Sequence, residues 1–170
     1  HSSKLEVFSG GKGLNQSIAL AKAGVPVYHA GIVGTDGDIL LEACKEAGVN
    51  TKYIRRLPVK GGHTMIQVDK NAQNCIILYG GTNQMQTKEF VDEVLADFGE
   101  GDYLILQNEI NMLDYIIDQA YEKKMKIVMN PSPFDDKLST CILLGYAKYL
   151  KEEQVQPKRQ VYILITSYEE

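Results

Sequence analysis

Seven consecutive residues, Gly10-Gly11-Lys12-Gly13-Leu14-Asn15-Gln16, bring together three glycines, one cation and two carboxamides. Glycine lets a backbone approach a ligand closely and adopt positive φ. The periodicity after them predicts a helix over residues 14–23, whose first turn offers free N–H groups and the positive end of the helix dipole. Lys12 adds a charge, and Asn15 adds an amide that both donates and accepts. Such a loop suits a polyhydroxy or anionic ligand. It matches neither the phosphate loop G-x-x-x-x-G-K-[ST] nor the dinucleotide fingerprint G-x-G-x-x-G, so a Rossmann-type dehydrogenase has no signature here. From the residues alone, a ligand cradle and a turn that merely starts a helix are equally good readings.

Other reactive residue types have plainer readings. Glu109 by itself is a surface loop acid. Asp36, in Gly34-Thr35-Asp36-Gly37, has the setting of a turn or cap residue. His63, beside Gly61-Gly62, reads as a hairpin-edge residue, and Asp135-Asp136, after a proline turn, as a solvated loop. Cys44 and Cys75 fall within a helix and a strand and read as packing residues. Lys123-Lys124 suits a helix C-terminus, and Tyr146 and Tyr149 suit helix packing.

The elements that must position these residues alternate. Residues 4–8 read as a short strand. Residues 25–33 are strand-like and run into the 34–38 loop. Asp38 is a candidate cap for a helix over 39–47, closed by Gly48. Residues 63–69 and 74–79 predict two strands joined by the polar stretch 70–73, a hairpin with a longer loop. Phe90, Val91, Val94, Leu95 and Phe98 share a helical face, with Thr87 as N-cap and Gly99 as terminator. Residues 103–107 and 125–129 are compact apolar strands. Between them Leu113, Ile116, Ile117, Ala120 and Tyr121 mark a helix with Asn111 as cap. The prolines of Asn130-Pro131-Ser132-Pro133 stop the last strand. Strands alternating with helices predict an α/β fold, a parallel sheet flanked by helices, with the hairpin as an antiparallel insertion. Beyond Pro133 the order weakens. Residues 142–150 have helical character, 152–160 are polar and 161–166 form a strand candidate. A terminal strand with no following helix, and a glycine loop so near the first residue, read as an incomplete chain.

Composition narrows the classes. The chain has 170 residues, 44% hydrophobic and 24% charged, with a net charge of −4. This predicts one globular domain over 1–170 rather than a disordered or fibrous chain. An acidic balance without a dense Lys/Arg run argues against nucleic acid as partner. No apolar run approaches the ~18 residues of a membrane span, so no membrane partner is expected. Three widely spaced cysteines fit neither a disulfide framework nor a C-x-x-C metal site, which favours a reducing, cytoplasmic setting.

Taken in order, several motifs resemble one family, the ribokinase-like (PfkB) carbohydrate kinases. Ser9–Gln16 resembles its sugar-binding motif. Ala21-Lys22-Ala23-Gly24 followed by Val33-Gly34-Thr35-Asp36 resembles its helix, strand and G-x-D loop. Residues 64–83, ending in Gly80-Gly81-Thr82-Asn83, resemble its lid hairpin. Gln107-Asn108-Glu109 resembles a strand end supplying an acidic sugar ligand, and Asn130-Pro131-Ser132-Pro133 its NPAP turn. The similarity covers roughly residues 4–134, and five motifs in register are far more specific than any one.

The resemblance implies a ribokinase-like fold with a small β lid from residues 4–8 and 63–79. It implies that Gly11, Lys12, Gly13 and Asn15 hold sugar hydroxyls, and that Glu109 accepts from another. Charged partners make the stronger hydrogen bonds, and Glu109 follows a parallel strand's carboxyl end, where open α/β sheets bind ligands. The implied reaction is ATP-dependent phosphorylation of a small sugar's primary hydroxyl, D-ribose at O5 foremost, with Mg²⁺ and, left open, a monovalent cation such as K⁺. Kinases for fructose, a deoxysugar or a nucleoside are alternatives, as is a non-catalytic sugar-binding module. The implied assembly is a homodimer through the lids. The family's first strand and its GAGD segment, which carries the catalytic aspartate, are not found. The N-x-x-E region is not recognisable, and residues 161–166 only faintly resemble the later LITLG strand. The catalytic base is therefore unassigned.

Overall fold

The computed structural model describes residues 4–132. The element order is α1 (Lys12–Lys22), β1 (Tyr28–Val33), α2 (Asp38–Ala47), β2 (Asn50–Arg56), β3 (His63–Val68), β4 (Asn74–Tyr79), a 3₁₀ turn (Gly81–Gln84), α3 (Lys88–Leu95), β5 (Tyr103–Gln107), α4 (Leu113–Glu122) and β6 (Lys126–Asn130). The expected helix 142–150, the strand 161–166, Asp135, Asp136, Tyr146 and Tyr149 lie outside the described residues.

Two β–α–β units make parallel pairs. β1 pairs with β2, Ala30 opposite Tyr53 and Val33 opposite Arg56. β5 pairs with β6, Tyr103 opposite Lys126 through Gln107 opposite Asn130. Each pair has its own apolar core. Leu14, Cys44 and Val49 join α1 and α2 to the first pair, with Ile18, Ala21 and Ile54 around them. Val91, Leu95, Leu106, Ile116, Ala120 and Met125 join α3 and α4 to the second. No helix among the described residues is long and apolar enough to cross a membrane.

Local chemistry explains most element ends. Gly48 closes α2 with φ 78°, the left-handed conformation that glycine adopts without a Cβ penalty. Thr87 caps α3, its hydroxyl oxygen accepting from Phe90 N–H at 3.3 Å. Two expected caps have other roles. Asp38 is the first residue of α2 rather than its cap, and its carboxylate pairs with Arg56. Asn111 does not cap α4. Its Oδ1 accepts from Gln86 N–H at 3.0 Å, and its amide donates to Gln86 O at 2.9 Å. Met112, with φ 64°, stands before the helix instead.

β3 and β4 pair antiparallel, from His63 opposite Tyr79 to Val68 opposite Asn74. His63, Met65, Gln67, Cys75, Ile77 and Tyr79 share one face, because strand side chains alternate. Thr64, Ile66, Val68, Asn74, Ile76 and Leu78 share the other. Every residue of both strands is exposed. The connecting loop is held by Asp69 Oδ1, which accepts from Asn71 N–H at 2.8 Å and Gln73 N–H at 2.9 Å.

The lid sheet differs from expectation in one strand. Residues 4–8 form no strand, and Leu5, Val7 and Phe8 are 90%, 76% and 76% exposed. Their alternation of polar and apolar residues favours an extended chain, but a strand also needs a partner's backbone. Among the described residues β3 pairs with β4 alone, so the sheet they form has two strands. The converse holds for β2, which the sequence reading did not identify. Asn-Thr-Lys-Tyr-Ile-Arg-Arg buries only Tyr53, yet backbone pairing to β1 makes it a strand. Lys52 and Arg55 tie it to Asp97 and Glu93.

Candidate functional site

The glycine loop and the end of β5 meet although they are far apart in sequence. Gly11 precedes α1 with φ 107°, ψ 141°, a conformation that L side chains rarely adopt. That bend sends the chain directly into the helix at Lys12, two residues before the expected start. Lys12 Nζ then reaches Glu109 Oε1 at 2.5 Å across 97 residues. The two side chains are 36% and 29% exposed, so the pair is partly desolvated and open on one side. An ammonium and a carboxylate facing one opening can act on a diol, the cation donating to one hydroxyl oxygen and the carboxylate accepting from another.

Gly11, Lys12, Gly13 and Glu109 line the same broad, open concavity, which runs along much of the described chain and has residues of β1, β3 and β4 among its other walls. Asn15, in the first turns of α1, is exposed and is not among the residues lining it. The structure thus brings four of the five expected sugar-binding residues together and sets Asn15 beside them.

Glu109 is also held through its backbone. Its carbonyl accepts from Gln84 Nε2 at 3.0 Å, and Asn111 N–H donates to Asn83 O at 3.3 Å. With the Asn111–Gln86 pair, these bonds fasten the segment after β5 to the segment leaving the hairpin. Gln84 and Gln86 escaped the sequence reading because polar side chains in loops have no periodicity, and Asn111 was legible there only as a helix cap.

The hairpin's other end is fastened by close backbone packing. A Cβ on Gly34 would fall on Gly61 N and Val59 O, and 2.6 Å from the Lys60 carbonyl carbon. One on Gly81 would lie 2.6 Å from the Gly61 carbonyl atoms. Asp36, expected as a turn residue, accepts through Oδ1 from Gly61 N–H at 2.9 Å, and Lys60 lies 3.6 Å from its Oδ2. The Gly61 amide, with help from Lys60, holds the Asp36 carboxyl below its usual range. Thr82, 1% exposed, donates through Oγ1 to Ile32 O at 2.6 Å. His63 stays at the hairpin edge, its ring tilted against that of Tyr79 with centroids 5.0 Å apart.

Beneath the glycine loop, Ser17 Oγ lies 2.8 Å from His29 Nδ1. Burial lowers the His29 pKa from its ordinary 6.5, because desolvation disfavours the imidazolium. A histidine whose folded pKa is depressed stabilises the fold above its unfolded pKa, and that contribution is lost as pH falls toward the folded value. Thermal midpoints should therefore fall more steeply from pH 6.5 to 5 in the wild type than in His29→Leu. Parallel curves for the two proteins would refute this.

Residues 1–154 match the family described as pfkB family carbohydrate kinase. The chain is 34% identical over 133 residues to a ribokinase of Staphylococcus aureus, covering 75% of this chain and 44% of that protein. It is 29% identical over 129 residues to a deoxyribokinase of Salmonella typhi, covering 73% and 42%. The fold is similar to that of Arabidopsis thaliana ribokinase solved with ribose and ATP, with a TM-score of 0.66 and 26% identity over 75% of this chain and 44% of that one. The chain thus spans less than half the length of the curated relatives it matches. The architecture of two helix-covered parallel pairs and an antiparallel hairpin is ribokinase-like. With a glycine loop paired to a strand-end carboxylate on that fold, and with a sequence match extending over most of its length, this chain belongs to the pfkB family of carbohydrate kinases.

Proposed function

We propose that this chain is the sugar-binding part of an ATP-dependent carbohydrate kinase that phosphorylates the primary hydroxyl of a small sugar, D-ribose at O5. The observation that carries this reading is the Lys12–Glu109 pair across the cleft beside the glycine loop. A sugar enters by placing two hydroxyls between the charges, exchanging one ion pair for two charge-assisted hydrogen bonds. Gly11, with nothing within 4 Å of an added Cβ, leaves room for the ring, and Asn15 adds an amide at the loop's edge. The solved Arabidopsis relative holds ribose and ATP, which supports the same substrates here.

Phosphoryl transfer also requires Mg²⁺ on the phosphates and a base for the hydroxyl proton. Among the described residues no group of three or more His, Cys, Asp or Glu is placed to hold a metal. Neither Mg²⁺ nor K⁺ is given a ligand here, and the base remains unassigned. Deoxyribose is the second reading, favoured by the similarity to the Salmonella deoxyribokinase. Among the described residues Cys44 is a buried and Cys75 an exposed free thiol.

The test is ADP release by the full-length protein with ATP and ribose, 2-deoxyribose, fructose or a nucleoside. Ribose should give the highest kcat/KM. Sugar binding without turnover would favour the non-catalytic module, and a folded protein that neither binds nor phosphorylates any sugar would overturn the reading.

The hairpin is proposed as the lid and as the contact of a homodimer. An isolated two-stranded hairpin is marginal in water. Its two apolar faces, with Leu78 65% and Ile77 53% exposed, can be covered by ligand on one side and by a second copy on the other. A twofold contact is self-complementary. Light scattering should show a dimer that dissociates in Ile77→Lys or in Leu78→Lys, whichever lies on the shared face. A monomer at high micromolar concentration would refute the dimer.

A further inference from the structure

Two rungs connect α1 to the end of β5. The outer rung is Lys12–Glu109, and the inner one is Gln107 Nε2 donating to Gln16 Oε1. Lys12 and Gln16 are four residues apart, so both lie on one face of α1. Gln107 is the last residue of β5, two before Glu109. The rungs differ in chemistry. The outer one is an open ion pair that a polyhydroxy ligand can enter and replace. The inner one is a neutral amide pair, partly buried, between a helix and a strand that are each fixed in a core.

Close approach at the inner rung depends on Gly13. A Cβ there would come 2.8 Å from Gln107 Oε1 and 3.6 Å from His29 Cε1. With no Cβ, the helix lies directly against the Gln107 side chain. When a sugar separates Lys12 from Glu109, nothing in the outer rung holds the two sides at a defined distance. The inner rung still does.

We infer that the Gln16–Gln107 carboxamide pair is a positioning device that sets the width of the sugar cleft while the ligand occupies the place of the Lys12–Glu109 bond. Neither side chain needs to touch the sugar. The inference rests on the carbohydrate-kinase reading and adds a specificity-determining pair to it. A fixed gap favours small sugars, because a wider ligand would have to break the inner rung as well.

The experiment is steady-state kinetics of the full-length protein with ribose and ATP, for Gln16→Leu, Gln107→Leu, their double variant and Gln16→Glu. Each leucine variant should raise the KM for sugar roughly three- to tenfold, the size expected for one neutral hydrogen bond, with the KM for ATP within about twofold of wild type. The double variant should be no worse than the poorer single one, because the same bond is lost once. Gln16→Glu keeps an acceptor for the Gln107 amide and should hold the sugar KM within about threefold of wild type. Gln107→Asn, which shortens the reach with little loss of packing, provides the same test if leucine impairs folding. Leucine variants with wild-type sugar KM would overturn the inference alone. So would sugar and ATP KM rising together, which would mark a merely structural pair. A folded wild type that binds no sugar would overturn both the inference and the kinase reading.

Discussion

Glu109→Ala should raise the KM for sugar and lower kcat/KM by roughly ten- to a hundredfold in the full-length protein. A hydrogen bond to a charged partner contributes ~1.5–3 kcal/mol, and each ~1.4 kcal/mol is a factor of ten. The structure gives the substitution a second effect. Lys12 loses the carboxylate that holds its ammonium at 2.5 Å, so the cation is no longer directed into the cleft. The fold should survive, because the Glu109 backbone is held by Gln84 and the neighbouring Asn111 by Asn83 and Gln86, none of them through the Glu109 side chain. The KM for ATP should change much less than the KM for sugar. Equal damage to both substrates would point to misfolding, and an unchanged sugar KM would remove Glu109 from the site.

The largest effect on stability is expected from Gly34→Ala. One methyl group would fall on the backbone of residues 59–61, at Gly61 N, Val59 O and the Lys60 carbonyl carbon. Backbone atoms cannot rotate away as the tip of a flexible side chain can. The segment would have to lift, and with it the Thr35 N–H bond to Val59 O at 2.8 Å and the Gly61 N–H bond to Asp36 at 2.9 Å. Overpacking commonly costs ~1–3 kcal/mol, and the loss of two hydrogen bonds puts this case at or above the upper end. Because residues 59–61 lead into β3, the hairpin should loosen before the cores do. Urea denaturation should show the lost stability, and amide exchange in residues 63–79 should accelerate more than in β5 or β6. Gly99→Ala is the control, since nothing lies within 4 Å of its added Cβ. If Gly34→Ala matched that control in both measurements, the close packing would not be what anchors the hairpin.

Local chemistry alone determined much of this protein. Apolar spacing along the chain located the four helices of the described residues. Gly48 and Thr87 marked real ends, because left-handed glycines and hydroxyl caps act within one turn. The alternating hairpin strands and the apolar runs 103–107 and 125–129 announced a parallel α/β fold with an antiparallel insertion. The residue types of the glycine loop left a ligand cradle and a plain helix start equally open, and the family resemblance favoured the cradle. Glu109 was legible only through its resemblance to a family motif, since a lone carboxylate after a strand carries no local signal. The tertiary structure decided the rest, wherever the decisive partner is distant in the chain. β2 is a strand because β1 lies beside it, although its own side chains are mostly polar. Residues 4–8 have a strand's alternation but pair with no strand among the described residues. Lys12 meets Glu109, Gln16 meets Gln107, and Gly34 meets Gly61 only after helices and strands have packed. Periodicity and capping report forces acting over a few residues, whereas these contacts are selected by how two cores and a hairpin fit together.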